Sequence, residues 1–456
     1  MYLSNRNKVS KLTTKPSART TMSTPNTPPD PSVFRAHHNS DCQCACAVEC
    51  SRSRHDEGAF VLLTGDSDGK VKLWNGETLR NAWTLGDDDD EDDARASILG
   101  IEVVEDNEEV GRYAFVTHGR DGSARLWVSS SSDKNAREEG DDDEYELEAE
   151  ENEGDFFLPK RWRWKPMLKH ILETESECHT FCRMSNVVVR TEHSEENEKK
   201  VTAVFARPAS ERGTVELVSV DLEAGRMTSK PIPLERKLGG EENGEREKYG
   251  SVSALKFLSK RTLMVGYESG HVTVARTNEG DVDAFPSDLQ NNTQRCFKDM
   301  VTCMDSHLLE DGEKDGDNET NRLYAVAIGC ADGSASIYRV SESVHENVFE
   351  LQKGSTKGPY HSQDDSAQGV ASLSFRSDHK LLAIGYWDGK TRIFAQSSKS
   401  KKASSSLLAC LKTEKLVRTD RFPGVTSVKF RERGQRELLV CTRGDGCCRM
   451  WPIFPS

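Results

Sequence analysis

Apolar and polar residues alternate with a period of two in short runs along this chain, and the clearest case lies at 381–394. Apolar side chains occupy every second position from Leu382 to Tyr386, and a second run follows from Thr391 to Phe394. Asp388-Gly389 separates the two runs, and both central residues of such a tight turn favour positive φ. The pattern predicts a β-hairpin, which cannot bury its apolar face alone.

The same pattern occurs six times in the chain. Each copy has an apolar run, a small residue, a turn, and a second run that ends in Trp, Tyr, Phe or Val. The turns are Asp68-Gly69, Asp121-Gly122, Ser269-Gly270, Asp332-Gly333, Asp388-Gly389 and Asp445-Gly446. Hairpins repeated at this spacing indicate a β-propeller, in which every blade is a four-stranded antiparallel sheet.

A further copy with a less regular turn raises the predicted number of blades to seven. Its strands are expected at 187–189, 201–205 and 215–218, and Gly213 in its turn lacks a preceding aspartate. The sequence therefore predicts an all-β, seven-bladed propeller of degenerate repeats over residues 32–456.

The last blade lacks a fourth strand of its own. Trp451 ends its third strand, and only a few residues follow. The spare apolar segment is Ser32–Arg35, which we expect to complete the last blade and so remove two exposed sheet edges.

Residues 1–31 are rich in Ser, Thr, Pro and Asn, which is typical of a disordered tail. The tail is also basic and poor in acids, as an organelle transit peptide would be. Met22 is a possible alternative to Met1 as the start of translation.

The formal charge of −14 comes largely from two acidic blocks. They fall in insertions near 87–93 and 129–155, where like charges favour solvated loops or a contact for a basic partner. An acidic balance argues against general nucleic-acid affinity, and no apolar run approaches the roughly 20 residues that span a bilayer.

Thirteen cysteines in a large chain without a secretory signal indicate reduced thiols. Cys42, Cys44 and Cys46, with Cys50 and the nearby His37-His38, suggest zinc. However, residues two apart share one face of a strand and would span ~13 Å, which is too far for one tetrahedral ion. We therefore favour buried core cysteines, and we expect neither a metal nor a cofactor.

The segment Gly65–Gly69 matches the Gly-x-Ser-x-Gly pattern of hydrolases, in which a strand leads into a helix. Here a second strand follows, so we interpret it as a blade turn. A propeller enzyme would also need carboxylates or histidines converging at the central channel. The twelve histidines are scattered, and we expect no catalytic residues.

The run Lys160–Lys165 interleaves basic residues with Trp162 and Trp164. We favour a strand with both tryptophans inward; partner docking and nucleic-acid stacking remain alternatives.

In a propeller, the turns between second and third strands lie on one rim, where binding is expected. The candidates beside these turns are Asp66, Arg120, Glu268, Trp387 and Arg443. Trp387 is either packed on the neighbouring blade or an exposed anchor for a partner.

The repeats resemble WD repeats that have lost several characteristic residues. The Gly-His ahead of the first strand is missing, and Trp74, Trp127 and Trp451 are not followed by aspartate. The hydrogen-bond network that depends on this histidine is therefore in doubt, although the turn aspartates remain.

Three segments carry a closer resemblance: Pro28–Arg35, the blade-six sequence Phe375–Phe394, and the stretch Trp451–Pro455. They resemble the ASTRA-associated protein 1 family, which includes the guanine nucleotide-binding protein β-subunit-like protein 1 of animals. The resemblance covers roughly residues 28 to 455 and is weakest across 129 to 250.

This resemblance implies a non-enzymatic scaffold in the nucleus and also the cytoplasm. The implied partners are a co-chaperone complex of helical-repeat subunits, phosphatidylinositol-3-kinase-related kinases and chromatin remodelling factors. Residues 1–33 show no heptads like those with which a true G-protein β subunit holds its γ partner. A rival function is that of a WD-type adaptor in another complex, such as a ubiquitin-ligase substrate receptor.

Overall fold

The computed structural model describes most of the predicted propeller. The described residues are 32–36, 40–49, 60–75, 79–85, 96–107, 112–131, 162–170, 182–192, 199–209, 213–221, 226–233, 249–276, 290–311, 322–342, 352–353, 369–396, 405–411, 424–433 and 436–453. The predicted tail at 1–31 and the acidic blocks at 87–93 and 132–155 lie outside them. Among the described residues no helix is long and apolar enough to cross a membrane.

The described strands form seven sheets, each with four antiparallel strands. The first sheet contains β2 (Cys42–Glu49), β3 (Phe60–Asp66), β4 (Val71–Asn75) and β5 (Asn81–Leu85), and the second contains β6 (Ile98–Asn107), β7 (Arg112–Gly119), β8 (Ala124–Ser131) and β9 (Trp162–His170). The third sheet contains β10 (Ser185–Glu192), β11 (Lys199–Pro208), β12 (Thr214–Asp221) and β13 (Arg226–Pro233). The fourth sheet contains β14 (Val252–Ser259), β15 (Thr262–Tyr267), β16 (His271–Arg276) and β17 (Gln290–Arg295).

The remaining three sheets include one strand from the N-terminal part of the chain. They comprise β18 (Val301–Asp311), β19 (Arg322–Cys330), β20 (Ala335–Glu342) and β21 (Gln352–Lys353); β22 (Val370–Phe375), β23 (Leu381–Tyr386), β24 (Thr391–Gln396) and β25 (Ser405–Leu411); and β26 (Val425–Arg433), β27 (Arg436–Arg443), β28 (Cys447–Ile453) and β1 (Ser32–Arg35). The seven predicted blades are confirmed, including the third, whose turn lacks the aspartate.

The N-terminal strand β1 is the fourth strand of the seventh sheet. It pairs with β28 in antiparallel register, from Ser32 opposite Met450 to Arg35 opposite Cys447. The prediction that Ser32–Arg35 supplies this strand is confirmed. The donors and acceptors at the free edge of β28 are thereby occupied.

The first strand of each sheet is the inner strand. Inner strands of successive sheets are in contact from β2 through β6, β10, β14, β18, β22 and β26, and β26 also contacts β2. The first and last sheets are therefore neighbours, and their shared core includes Leu62, Trp74, Val440 and Met450.

Neighbouring sheets come into close contact at a glycine near the end of the second strand. A Cβ added to Gly385 would lie 2.5 Å from Val425 Cγ1, and one added to Gly329 would lie 2.6 Å from Val370 Cγ1. In both cases the valine that the added Cβ would contact is the first residue of the inner strand of the next sheet. The small residue in the repeat thus leaves room for the following sheet.

Cys42 and Cys44 lie in two different cores, contrary to the expectation that they share a face. The register of β2 against β3 shifts between them, which is the mark of a β-bulge. Cys42 packs with the core between the seventh and first sheets, whereas Cys44 packs against Ile98 of the second. Both are buried free thiols, and burial raises the pKa of Cys42 well above its ordinary value.

No group of three or more His, Cys, Asp or Glu residues in the described part of the chain could hold a metal ion. His37, His38 and Cys50 of the suggested zinc site are outside the described residues, as is the side chain of Cys46.

Candidate protein-binding rim

The turns between second and third strands all lie at one end of the sheets, which we call the turn face. In the sixth sheet the Gly389 amide donates to the Tyr386 carbonyl at 3.0 Å, and the Tyr386 amide donates to the Lys390 carbonyl at 3.0 Å. Gly389 has φ of 81°, whereas Asp388 does not have positive φ. The turn is therefore a type I turn followed by a left-handed glycine, not the two-residue turn with two positive φ values that the sequence suggested.

The turn aspartate fixes this geometry through its own side chain. Asp388 Oδ1 accepts a hydrogen bond from the Lys390 amide at 2.9 Å. The corresponding bonds are made by Asp121 to Ser123, by Asp332 to Ser334 and by Asp445 to Cys447. Such aspartates stabilise a turn by replacing a backbone partner. The turn glycines Gly69, Gly122, Gly270, Gly333, Gly389 and Gly446 all have positive φ.

The first sheet makes the same bonds with a different aspartate. Asp66 Oδ1 accepts from the amides of Asp68 and Lys70, at 3.0 and 2.7 Å. Its other oxygen accepts from the Ser40 hydroxyl at 2.6 Å. Asp68, the residue in the predicted turn position, is exposed.

The residue that follows each second strand forms the rim. Its amide donates to the carbonyl of the residue just before the inner strand of its own sheet, and this bond recurs in six of the described sheets. The rim residues are Ser67, Arg120, Glu268, Ala331, Trp387 and Gly444.

Two of the five predicted rim contacts, Asp66 and Arg443, are buried rather than exposed. Each is the last residue of its second strand, one position before the true rim residue, so its side chain faces inward. Arg443 lies 3.5 Å from Asp445 Oδ2, and burial lowers the pKa of Arg443. The prediction that Asp66 and Arg443 contact a partner is therefore corrected: both side chains are buried and stabilise the turns of their own sheets.

Arg120 and Glu268 are exposed on the turn face, as expected for candidate contacts. Glu268 Oε2 accepts a hydrogen bond from the Ser251 amide at 3.0 Å, which orients its carboxylate. The two residues place opposite charges on the second and fourth sheets.

Trp387 is both packed and exposed. A Cβ added to Gly369 would lie 2.7 Å from Trp387 Cζ3, so the indole ring lies over this glycine of its own sheet. The side chain nevertheless remains 37% exposed. An aromatic ring held in place at one side and open to solvent at the other is suited to anchor a partner.

Trp162 and Trp164 lie on β9, the outer strand of the second sheet. The predicted strand is confirmed. The side chains of Trp162 and Trp164 are outside the described part of the structure, so the inward orientation of their rings stays a prediction.

Part of the hydrogen-bond network typical of WD repeats is present without the histidine. Trp74 Nε1 donates to Thr64 Oγ1 at 2.8 Å, and Trp127 Nε1 donates to Thr117 Oγ1 at 3.1 Å. Both bonds link a third strand to a second strand within one sheet. In the first sheet Ser40, which precedes the inner strand, donates from its hydroxyl to Asp66 Oδ2, as described above.

The channel between the inner strands holds an arginine that no motif in the sequence signalled. Arg183 precedes β10, and its Nη2 donates to the carbonyls of Gln43 and Thr426, which lie on the first and seventh inner strands. Arg183 therefore reaches across the channel and links three sheets at their turn-face end.

Further along the inner strands, ion pairs link other sheets. Lys256 Nζ lies 2.7 Å from Asp305 Oδ1, and Asp305 Oδ2 accepts from the Phe375 amide at 2.8 Å. Lys429 Nζ lies 3.2 Å from Glu102 Oε1. These ion pairs join inner strands that belong to different sheets.

Taken together, seven four-stranded sheets around a channel and aspartate-stabilised turns define a WD-type β-propeller. The family model described as "WD domain, G-beta repeat" matches residues 31–75 and 358–394, which contain the first and sixth repeats. The crystal structure of the Cps50 (Swd1) β-propeller domain of Myceliophteria thermophila is similar, with a TM-score of 0.53 and 13% identity. The match covers 93% of this chain and 99% of the Cps50 chain, and this likeness concerns the fold.

The chain is also similar to a particular curated protein, ASTRA-associated protein 1 of Meyerozyma guilliermondii. The two are 21% identical over 233 residues. The match covers 48% of this chain and 46% of the relative, so it spans about half the length of each. This agrees with the resemblance stated from the sequence.

Proposed function

We propose that this chain is a non-enzymatic scaffold that acts as a subunit or partner of an ASTRA assembly. The observation that carries the proposal is the similarity to ASTRA-associated protein 1 in a chain with a WD-type propeller fold. In this role it supports chromatin remodelling and the co-chaperoned maturation of phosphatidylinositol-3-kinase-related kinases, in the nucleus and also the cytoplasm.

The turn face carries partner binding in this proposal, with Trp387 as its anchor. Partner interfaces are enriched in aromatic residues and arginine, and a small number of them supply most of the binding energy. The rim offers a partly exposed indole at Trp387 and an exposed guanidinium at Arg120. Glu268 adds a carboxylate whose position is fixed by a backbone amide.

Affinity capture of the tagged full-length chain from cells, followed by mass spectrometry, tests the assembly. We expect helical-repeat co-chaperone subunits and the large kinases to be recovered. Recovery of cullin-type ligase subunits in their place would replace this proposal with that of a ubiquitin-ligase substrate receptor.

The variant Trp387→Ala tests the anchor in the same experiment. Because Trp387 is 37% exposed at the rim, we expect a small change in melting temperature and a several-fold loss of captured partners. Arg339→Ala removes an exposed side chain from β20 and serves as the control. A large fall in melting temperature for Trp387→Ala would instead assign the ring a structural role.

A further inference from the structure

Trp387 differs from the tryptophans that stabilise the repeats. Trp74 and Trp127 lie in third strands, and each donates its Nε1 hydrogen to a threonine of the adjacent second strand. In the sixth sheet the corresponding third-strand position, opposite Leu382, holds Phe394. Trp387 is therefore an additional aromatic residue, outside the position that the repeat uses for a structural ring.

The indole of Trp387 lies with its nitrogen away from its own sheet. The atoms over Gly369 are Cε3 and Cζ3, which lie 2.8 and 2.7 Å from the position of an added Cβ. Nε1 is on the opposite edge of the indole, and it makes no hydrogen bond with any described residue. Because the side chain is 37% exposed, the ring offers solvent a hydrogen-bond donor beside an open apolar surface.

The rim residues on either side of Trp387 are small. They are Ala331 of the fifth sheet and Gly444 of the seventh. The Ala331 carbonyl lies 2.6 Å from the same Cβ position at Gly369, so the indole stands next to the rim of the fifth sheet. A ligand that crosses these three rim positions therefore contacts one large side chain, Trp387.

The backbone amides of these three rim residues are already used. Each donates to the carbonyl of the residue just before the inner strand of its own sheet. A partner strand that adds to a sheet needs free backbone groups at an edge, and it finds no amide donor at these positions. Nε1 of Trp387 is a donor that remains for a ligand.

The other ligand conformations are a helix and an extended segment without internal hydrogen bonds. A helix uses its backbone carbonyls internally, so only one of its side chains could accept from Nε1. A polyproline II segment has no internal hydrogen bonds, and its carbonyls are free to accept. Such segments are also recognised by aromatic side chains in other domains. The extended segment therefore fits both the donor and the apolar surface of the indole.

We propose that Trp387 binds an extended, proline-containing segment of a protein partner. A proline ring packs on the exposed indole, and a backbone carbonyl of the segment accepts a hydrogen bond from Nε1. This inference rests on the proposed function, because it assigns a ligand chemistry to the anchor named there.

The first measurement needs no ligand. Tryptophan labelled with a heavy nitrogen isotope is incorporated into the full-length chain, and the indole signals are recorded by NMR. Trp387→Phe and Trp74→Phe each identify one signal by its loss. We expect the indole hydrogen of Trp387 to exchange with water much faster than that of Trp74, which is bonded to Thr64. Equal protection of the two signals would overturn the inference.

The second measurement uses two pools of fluorescein-labelled decapeptides with the same degenerate flanks. One pool has Pro-Pro-Xaa-Pro at its centre and the other has Ala-Ala-Xaa-Ala, and binding is measured by fluorescence polarisation. Trp387 is replaced by alanine, or by benzothienylalanine, which keeps the shape of tryptophan but has sulfur in place of the N–H group. Arg339→Ala, an exposed change on β20, is the control.

We expect the proline pool to bind about tenfold more tightly than the alanine pool, and Trp387→Ala to abolish this difference. The benzothienylalanine variant should keep the packing and lose one hydrogen bond, so its binding weakens about fivefold. Arg339→Ala should stay within about twofold of the wild type. Equal binding of the two pools, or full binding by the benzothienylalanine variant, would overturn the inference.

These results separate the inference from the proposed function. If Trp387→Ala loses the captured partners but the wild type shows no preference for the proline pool, the anchor stands and the ligand chemistry is wrong. If the wild type prefers the proline pool but captures neither co-chaperone subunits nor the kinases, the ligand chemistry stands and the assembly is wrong.

Discussion

Arg183 donates a hydrogen bond from Nη2 to the backbone carbonyl of Thr426, although 243 positions separate them in the chain. The same nitrogen lies 3.2 Å from the carbonyl of Gln43, and Thr426 Oγ1 donates to the carbonyl of Cys42 at 2.6 Å. The third, first and seventh sheets thus meet through one side chain and its neighbours. These hydrogen bonds join the first and seventh sheets to each other and to the third sheet.

Replacement of Arg183 by methionine should destabilise the fold. Methionine keeps much of the side-chain volume but leaves two carbonyls without their charged donor, and such a hydrogen bond is worth about 1.5–3 kcal/mol. We expect a loss of about 2 kcal/mol in the free energy of unfolding, measured by urea denaturation. The exposed Arg339→Met is the matched control, and equal stability of both variants would contradict the role given to Arg183.

His118 should make stability depend on pH. Its ring is fully buried, and neither ring nitrogen has a hydrogen-bond partner among the described residues. Burial, assisted by the positive charge of Arg207, lowers the pKa of His118 from 6.5 to about 4.

Between these two values the unfolded chain binds a proton that the folded chain does not. The free energy of unfolding should therefore fall as the pH is lowered from 6.5 to 4, by roughly 3 kcal/mol in total for this residue. His118→Leu should remove this contribution, so the difference between the two pH profiles isolates His118 from the other histidines. Parallel profiles over this interval would refute the assignment.

Gly385→Ala should destabilise the contact between the sixth and seventh sheets. The added methyl would lie 2.5 Å from Val425 Cγ1, and overpacking of this kind costs about 1–3 kcal/mol. Gly100→Ala is the control, because the nearest atom to its added methyl is 3.9 Å away. In the double variant with Val425→Ala, part of the loss should be recovered; strictly additive losses would argue against a direct clash.

Deletion of residues 1–35 should destabilise the seventh sheet, whereas deletion of 1–31 should not. The longer deletion removes four paired positions along β28, and with roughly 1 kcal/mol per backbone hydrogen bond we expect a loss of about 2–4 kcal/mol. It also exposes a strand edge that favours aggregation, which light scattering would detect. Equal stability of both deletions would show that β1 contributes little.

The repeat could be predicted from the sequence because each hairpin is a local pattern. Alternation and the turn residues around Asp388 are contained within fourteen residues, and they locate the sheets well. The pairing of Ser32–Arg35 with the last sheet was also predictable, since the repeat pattern assigned three strands to that sheet and left Ser32–Arg35 as an unassigned apolar segment.

The details of the candidate site were less predictable, for reasons that are also physical. Periodicity does not distinguish the last residue of a strand from the first residue of a turn, and this single position separates the buried Arg443 from the rim. A bulge at the start of β2 reverses the side of the strand that Cys44 faces. Arg183 has partners far away in the chain, so no local pattern signals it.

The partnership of β1 with β28 also sets an order of events during synthesis. Ser32 is made more than four hundred residues before Met450, with which it pairs. At about 5–20 residues per second, the ribosome takes on the order of 20–80 s to supply the second strand after the first. During this time the first strand exists without its final neighbour, so the nascent chain offers a site at which chaperones or unwanted strands compete with the native partner.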